Sequence, residues 1–162
     1  MSLATIYFYD VIKFIHVAAV VLAFGPTFGY ALFQGVAERT SPRSIPTVVR
    51  AMQKIDRFMV IPGIIVILGA GLYLTIDRFD FGYLFVTVGM IAILVLLVMA
   101  FSFFHSVERK LIELSERDIA ASPSGEVQLS EEYWAASKRS AIGGSLAGVI
   151  VLVAVFFMVV KP

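Results

Sequence analysis

Four apolar runs, at about residues 6–35, 58–76, 82–105 and 140–160, constrain this chain more than any other feature. Each is close to or beyond the roughly 20 residues with which an α-helix crosses the hydrocarbon layer of a bilayer. None shows the period-two alternation of a barrel strand, and within a bilayer only helices and closed barrels satisfy every backbone polar group. The expectation is an all-α fold: one integral membrane domain over residues 1–162, built as a four-helix transmembrane bundle.

Composition agrees with this. Apolar residues make up 59% of the chain and charged residues 15%, and mean hydropathy is +0.91. A formal net charge of +1 offers no global attraction to nucleic acid or to acidic substrates. The chain has no cysteine, which removes disulfides, thiolate metal sites, iron–sulfur clusters and cysteine nucleophiles together. Residues 11–33 are too long a run for the apolar part of a signal peptide. They follow Asp10 rather than a basic cluster, and no A-x-A-type site comes after them, so they read as a permanent helix.

The basic residues set an orientation. Arg39, Arg43, Arg50, Lys54 and Arg57 lie between the first two runs, and Arg109, Lys110, Arg117, Lys138 and Arg139 between the last two. Only Lys13, Arg78 and Lys161 lie on the other side. The positive-inside rule then puts both long loops in the cytoplasm and both termini outside, in a multi-pass protein of the bacterial inner membrane.

The long loops carry helical patterning of their own. Ser44 is a candidate cap ahead of Pro46, VVRAMQKIDRFMV runs straight into the second span, and Pro62 predicts a bend there. Beyond the third span, Val107, Leu111, Leu114 and Ile119 recur at helical spacing. Ser130, followed by two glutamates, marks the start of the fourth helix. Helices two, three and four are therefore expected to extend into the cytoplasm.

One imidazole sits in lipid-like sequence, within KFIHVAAVVLAFGPTFGY. At 100° per residue, Tyr9, His16, Ala23, Thr27, Tyr30 and Gln34 fall within roughly 40° of one another. Polar residues in membrane helices face the bundle interior, so His16 is expected to look inward, with small Ala19 and Ala23 leaving space beside it. Three readings of His16 stand open. It bonds a neighbouring helix and holds the bundle together, its neutral imidazole ligates metal, specifically the iron of a b-type haem, or it has a role in proton transfer. In the second reading Met90 is at a suitable depth for an axial thioether, Lys13 pairs a propionate, and Thr27 and Tyr30 line the site. His105 lies roughly 20 Å away in depth, too far to share one iron.

Small residues suggest packing seams: Gly25 and Gly29 on helix one, Gly63 and Gly69 on helix two, and Ala141, Gly144 and Gly148 on helix four. The helix-one seam packs within the bundle or makes a homodimer. No P-loop, nucleophile elbow or H-E-x-x-H pair is present. Apart from Asp10, no acid falls inside the four runs, which argues against ion-coupled transport.

KFIHV in the first run, DRFMVIPGIIVILGAGLYL across the second, FGYLFVTVG opening the third and FFMVVKP at the end resemble a family of predicted four-helix bacterial integral membrane proteins of unknown function. The resemblance spans nearly the whole chain and implies topology, not mechanism. The pattern is more distantly similar to the flavin-independent protoporphyrinogen oxidase, through His16, Pro62, Gly63 and Gly69, and to the membrane domain of copper-resistance proteins. The oxidase likeness implies a lysine on helix three, and Tyr83 to Phe104 contains none. Three functions stand open: haem binding for electron transfer or haem handling; a non-enzymatic structural or accessory subunit of a membrane complex; and a porphyrin-oxidising enzyme. The expected partners are the lipid bilayer and a second copy or a larger membrane complex, with no nucleic acid.

Overall fold

The computed structural model describes residues 7–161. Four long helices account for almost all of it: α1 (Phe8–Thr40), α2 (Pro42–Arg78), α3 (Leu84–Ala121) and α4 (Glu131–Val160), each long and apolar enough to cross a membrane. Ile6, where the first run was expected to start, and Pro162 in the closing motif lie outside the described residues. The helices exceed the bilayer in length. The 38 residues of α3 rise about 57 Å, nearly twice the hydrocarbon thickness. The excess is not confined to the last three helices, because α1 continues to Thr40.

The long loops mark one end of the bundle, here termed the loop end; the chain termini mark the other. Two cores are stacked along this axis. Ala19, Ala23, Phe24, Ile64, Ile67, Ile93, Leu96 and Val151 fill the middle of the apolar spans. Ala37, Ile45, Val49, Val107, Leu111, Leu114 and Tyr133 form a second core at the loop end. The projecting helix ends thus bury apolar faces against one another. The middle of the bundle instead leaves Phe14, Val21, Ile65, Leu94, Leu146 and Phe156 exposed outward, as lipid contact requires.

Local breaks follow the residues. Pro26 has no amide to donate, and the chain takes a 3₁₀ turn over Pro26–Gly29, with the Thr27 hydroxyl donating to the Phe24 carbonyl at 2.7 Å. The bend expected at Pro62 is a π turn just before it, at Asp56–Val60. A second π turn, Met99–Phe104, interrupts α3. Ser130 caps α4 by accepting from the Tyr133 amide at 3.3 Å, and the Asp118 carboxylate takes the Ser130 amide at 2.8 Å, tying the ends of α3 and α4. Ser44 does not cap: its hydroxyl turns back to the Ser41 carbonyl at 2.7 Å.

The helix contacts revise the expected seams. A Cβ built on Gly25 would meet only the carbonyl oxygen of Val21, 2.6 Å away on its own helix, and one on Gly29 would meet Phe33 of the same helix. For neither glycine is another helix the nearest contact. The tight crossing is on the opposite side, where a Cβ on Gly63 would lie 2.6 Å from the Ala23 Cβ and 3.6 Å from the Ala19 carbonyl oxygen. Ala19 and Ala23 therefore admit the backbone of α2, and the space expected beside them is filled. Gly69 has nothing within 4 Å.

Candidate functional site

The polar stripe on α1 does turn inward, but it serves two cavities instead of one. Phe24, Leu96 and Val151 border both and form the floor between them.

The cavity nearer the termini has a volume of about 350 Å³ and is lined by His16, Val20, Gly71, Thr75, Gly89, Met90 and Met158, among other apolar side chains. His16 and Met90, joined only by depth in the sequence, share this space. The Nδ1 of His16 lies 3.1 Å from the Ile67 carbonyl. A carbonyl only accepts, so Nδ1 carries the proton and donates, and Nε2 is left with its lone pair. That hydrogen bond between α1 and α2 satisfies the structural reading of His16. It is also the arrangement that orients a metal-binding imidazole. Two glycines shape the walls. A Cβ on Gly71 would press on the His16 ring at 3.1 Å, and one on Gly89 would collide with Met158.

Lys13 lies away from this cavity, exposed and 3.7 Å from Asp10. The terminal end carries other cations: Arg78 stacks over the Tyr9 ring at 4.1 Å and Lys161 over Phe79 at 4.7 Å. Among the described residues no cluster of three or more His, Cys, Asp or Glu could hold a metal ion. Any metal here would come with its own ligands, as iron does in a porphyrin.

Thr27 and Tyr30, expected beside His16, line the other cavity, toward the loop end. There the Tyr30 hydroxyl donates to Asp56 at 2.8 Å. Oε1 of Glu38 accepts from the Gln34 amide at 2.9 Å, the Tyr133 hydroxyl at 2.8 Å and the Ser137 hydroxyl at 2.7 Å. The carboxyls of Asp56 and Glu108 face each other across α2 and α3. Both lie past the ends of the apolar runs. Burial, then the neighbouring Asp56, pushes the Glu108 carboxyl up to about 8, and burial raises Asp56 against the opposing Tyr30 hydrogen bond.

Because the folded state holds a proton that the unfolded chain releases near its ordinary 4.5, this pair favours folding below that value. The advantage is lost as pH rises toward about 8. Melting temperature in neutral detergent should fall across this window, and Glu108→Gln should flatten the fall. An equal slope in both proteins would contradict the pairing.

The acidic pair escaped the reading of the apolar runs because both residues lie just outside them. The signal was present at helical spacing: Val49, Met52, Asp56, Val60 and Ile64 form one stripe on α2, and Leu96, Ala100, Glu108 and Leu111 share one on α3. His105, by contrast, is exposed and borders neither cavity.

The family described as "predicted integral membrane protein (DUF2269)" matches residues 10–162. No curated protein and no solved structure matches the chain.

Proposed function

The chain belongs to the DUF2269 family of predicted integral membrane proteins, and from that premise we propose that it binds b-type haem in the cavity nearer the termini, for electron transfer or haem handling. The observation that carries this reading is the His16 imidazole. It stands at an apolar cavity with its Nδ1 proton committed to the Ile67 carbonyl, so Nε2 is the nitrogen free to bind iron. Met90, a thioether bordering the same space, would be the second residue to hold it. Gly71 and Gly89 keep the walls flat at the two places where a Cβ would crowd His16 or Met158.

Bound haem would supply one-electron chemistry. The chain's own part is to orient the imidazole, to exclude water with Val20, Ile93 and Val155, and to offer cations near the membrane surface. Lys13 pairs with Asp10 and Arg78 with Asp77; Lys161, over the Phe79 ring, is the further cation at this end that would serve a propionate. Haem reconstituted into the full chain should give a low-spin spectrum in the wild type and a high-spin one in Met90→Leu. Identical spectra would remove Met90 from the site.

The same reading puts both termini outside the cytoplasm and the loop end within it, on the ten-to-three distribution of basic residues. Cysteine introduced at Arg78 should react with an impermeant reagent applied from outside, and cysteine at Ser124 should not. The reverse labelling would invert the topology.

A further inference from the structure

The loop-end cavity is separate from the one nearer the termini. Its volume is about 450 Å³, and it runs between all four helices from Phe24 and Leu152 to Glu38, Asp56 and Glu108. Three carboxyls line it, and no lysine, arginine or histidine does. Among the described residues none of the three takes part in an ion pair.

Hydrogen bonds are unevenly shared among them. Glu38 receives three donors and Asp56 receives the Tyr30 hydroxyl. Glu108 is only 7% exposed, and it meets the Asp56 carboxyl and the Gln53 side chain. Burying a carboxyl this far without a cation is costly; Glu108 meets that cost by keeping its proton, and a positive donor in the cavity would meet it in the proton's place. Toward Phe24, Phe28, Val151 and Leu152 the space is apolar, which favours a ligand with a hydrocarbon part over a bare hydrated ion.

We propose that this cavity binds an amphiphilic primary amine, its ammonium against Glu108 and Asp56 and its hydrocarbon tail along Phe24, Phe28 and Leu152. An ammonium brings three donors to a group of acceptors; an alcohol brings one and no charge, and an anion brings acceptors to a site already rich in them. Entry is from the side, between α1 and α4, where the lining residues Ala31, Gly35, Gly144 and Ser145 are small. A Cβ on Gly35 or Gly144 would meet nothing within 4 Å. Two sources share this chemistry: a free alkylamine and the ethanolamine headgroup of a phospholipid.

Native mass spectrometry of the full chain in neutral detergent, with octylamine as the probe, tests the proposal. One octylamine should bind per chain, octanol should not, and Glu108→Gln should weaken binding at least tenfold. Gly144→Leu adds bulk at the cavity wall where a Cβ meets nothing within 4 Å and should also abolish binding, which decides the matter if Glu108→Gln fails to fold. Retention of phosphatidylethanolamine over phosphatidylcholine by the wild type would identify the lipid as the source, and binding of octylamine alone would identify a free amine. Octanol binding as well as octylamine, unchanged binding in a folded Glu108→Gln or Gly144→Leu protein, or no binding of either amine overturns it.

Discussion

Leucine at Gly63 should cost about 3 kcal/mol of bundle stability and lower the melting temperature in detergent by many degrees, while leucine at Gly69 should change it little. The two glycines lie on the same helix and differ in what they face. At Gly63 a single added carbon would already sit 2.6 Å from the Ala23 Cβ, with the backbone of α1 directly behind it. Neither helix can give way without opening the core of Ala19, Ala23, Ile64 and Ile67, and overpacking of this kind carries a penalty at the upper end of its usual range. Gly69 is exposed with nothing within 4 Å, and surface changes of that sort stay within about 0.5 kcal/mol. Equal melting temperatures for the two variants would mean that α1 and α2 do not cross at Gly63.

His16→Ala should lower haem content at least tenfold while leaving a folded bundle. Alanine removes the one side-chain nitrogen in the cavity able to bind iron and one hydrogen bond to the Ile67 carbonyl. The loss of that bond costs about 1 kcal/mol, small beside the apolar packing on either side. Its absorbance near the haem band should therefore disappear without a matching loss of secondary structure by circular dichroism. If His16→Ala unfolds instead, the imidazole is chiefly the brace between α1 and α2.

The architecture was legible because a bilayer leaves few choices. Run length alone predicts four helices, and the stripe of Tyr9, His16, Thr27, Tyr30 and Gln34 predicts which side of α1 turns inward. Ser130 was recognisable as a cap since it precedes two glutamates and a long apolar run. What sequence did not reveal depends on which partner each residue meets. Periodicity places Thr27 and Tyr30 on the face of His16, but it carries no information about the floor of Phe24, Leu96 and Val151 that assigns them to a different cavity.

The glycine seams show the same limit. Small residues mark where a close approach is possible, and only the crossing geometry selects Gly63 over Gly25 and Gly29. Asp56 and Glu108 were hidden for another reason. Reading hydropathy as a run discards any acid at its edge, although each of these continues a helical stripe that is apolar on both sides. The segments between the apolar runs were treated as loops carrying helical patterning; their second core, around the fully buried Tyr133, depends on contacts far apart in the chain.

The most direct test of haem binding is the haem content of wild-type chain purified in mild detergent from cells supplied with ample haem, measured by absorption together with protein concentration. The account predicts about one b-type haem per chain, with a Soret band that His16→Ala lacks. A colourless wild-type protein that stays so when haemin is added in excess would contradict it.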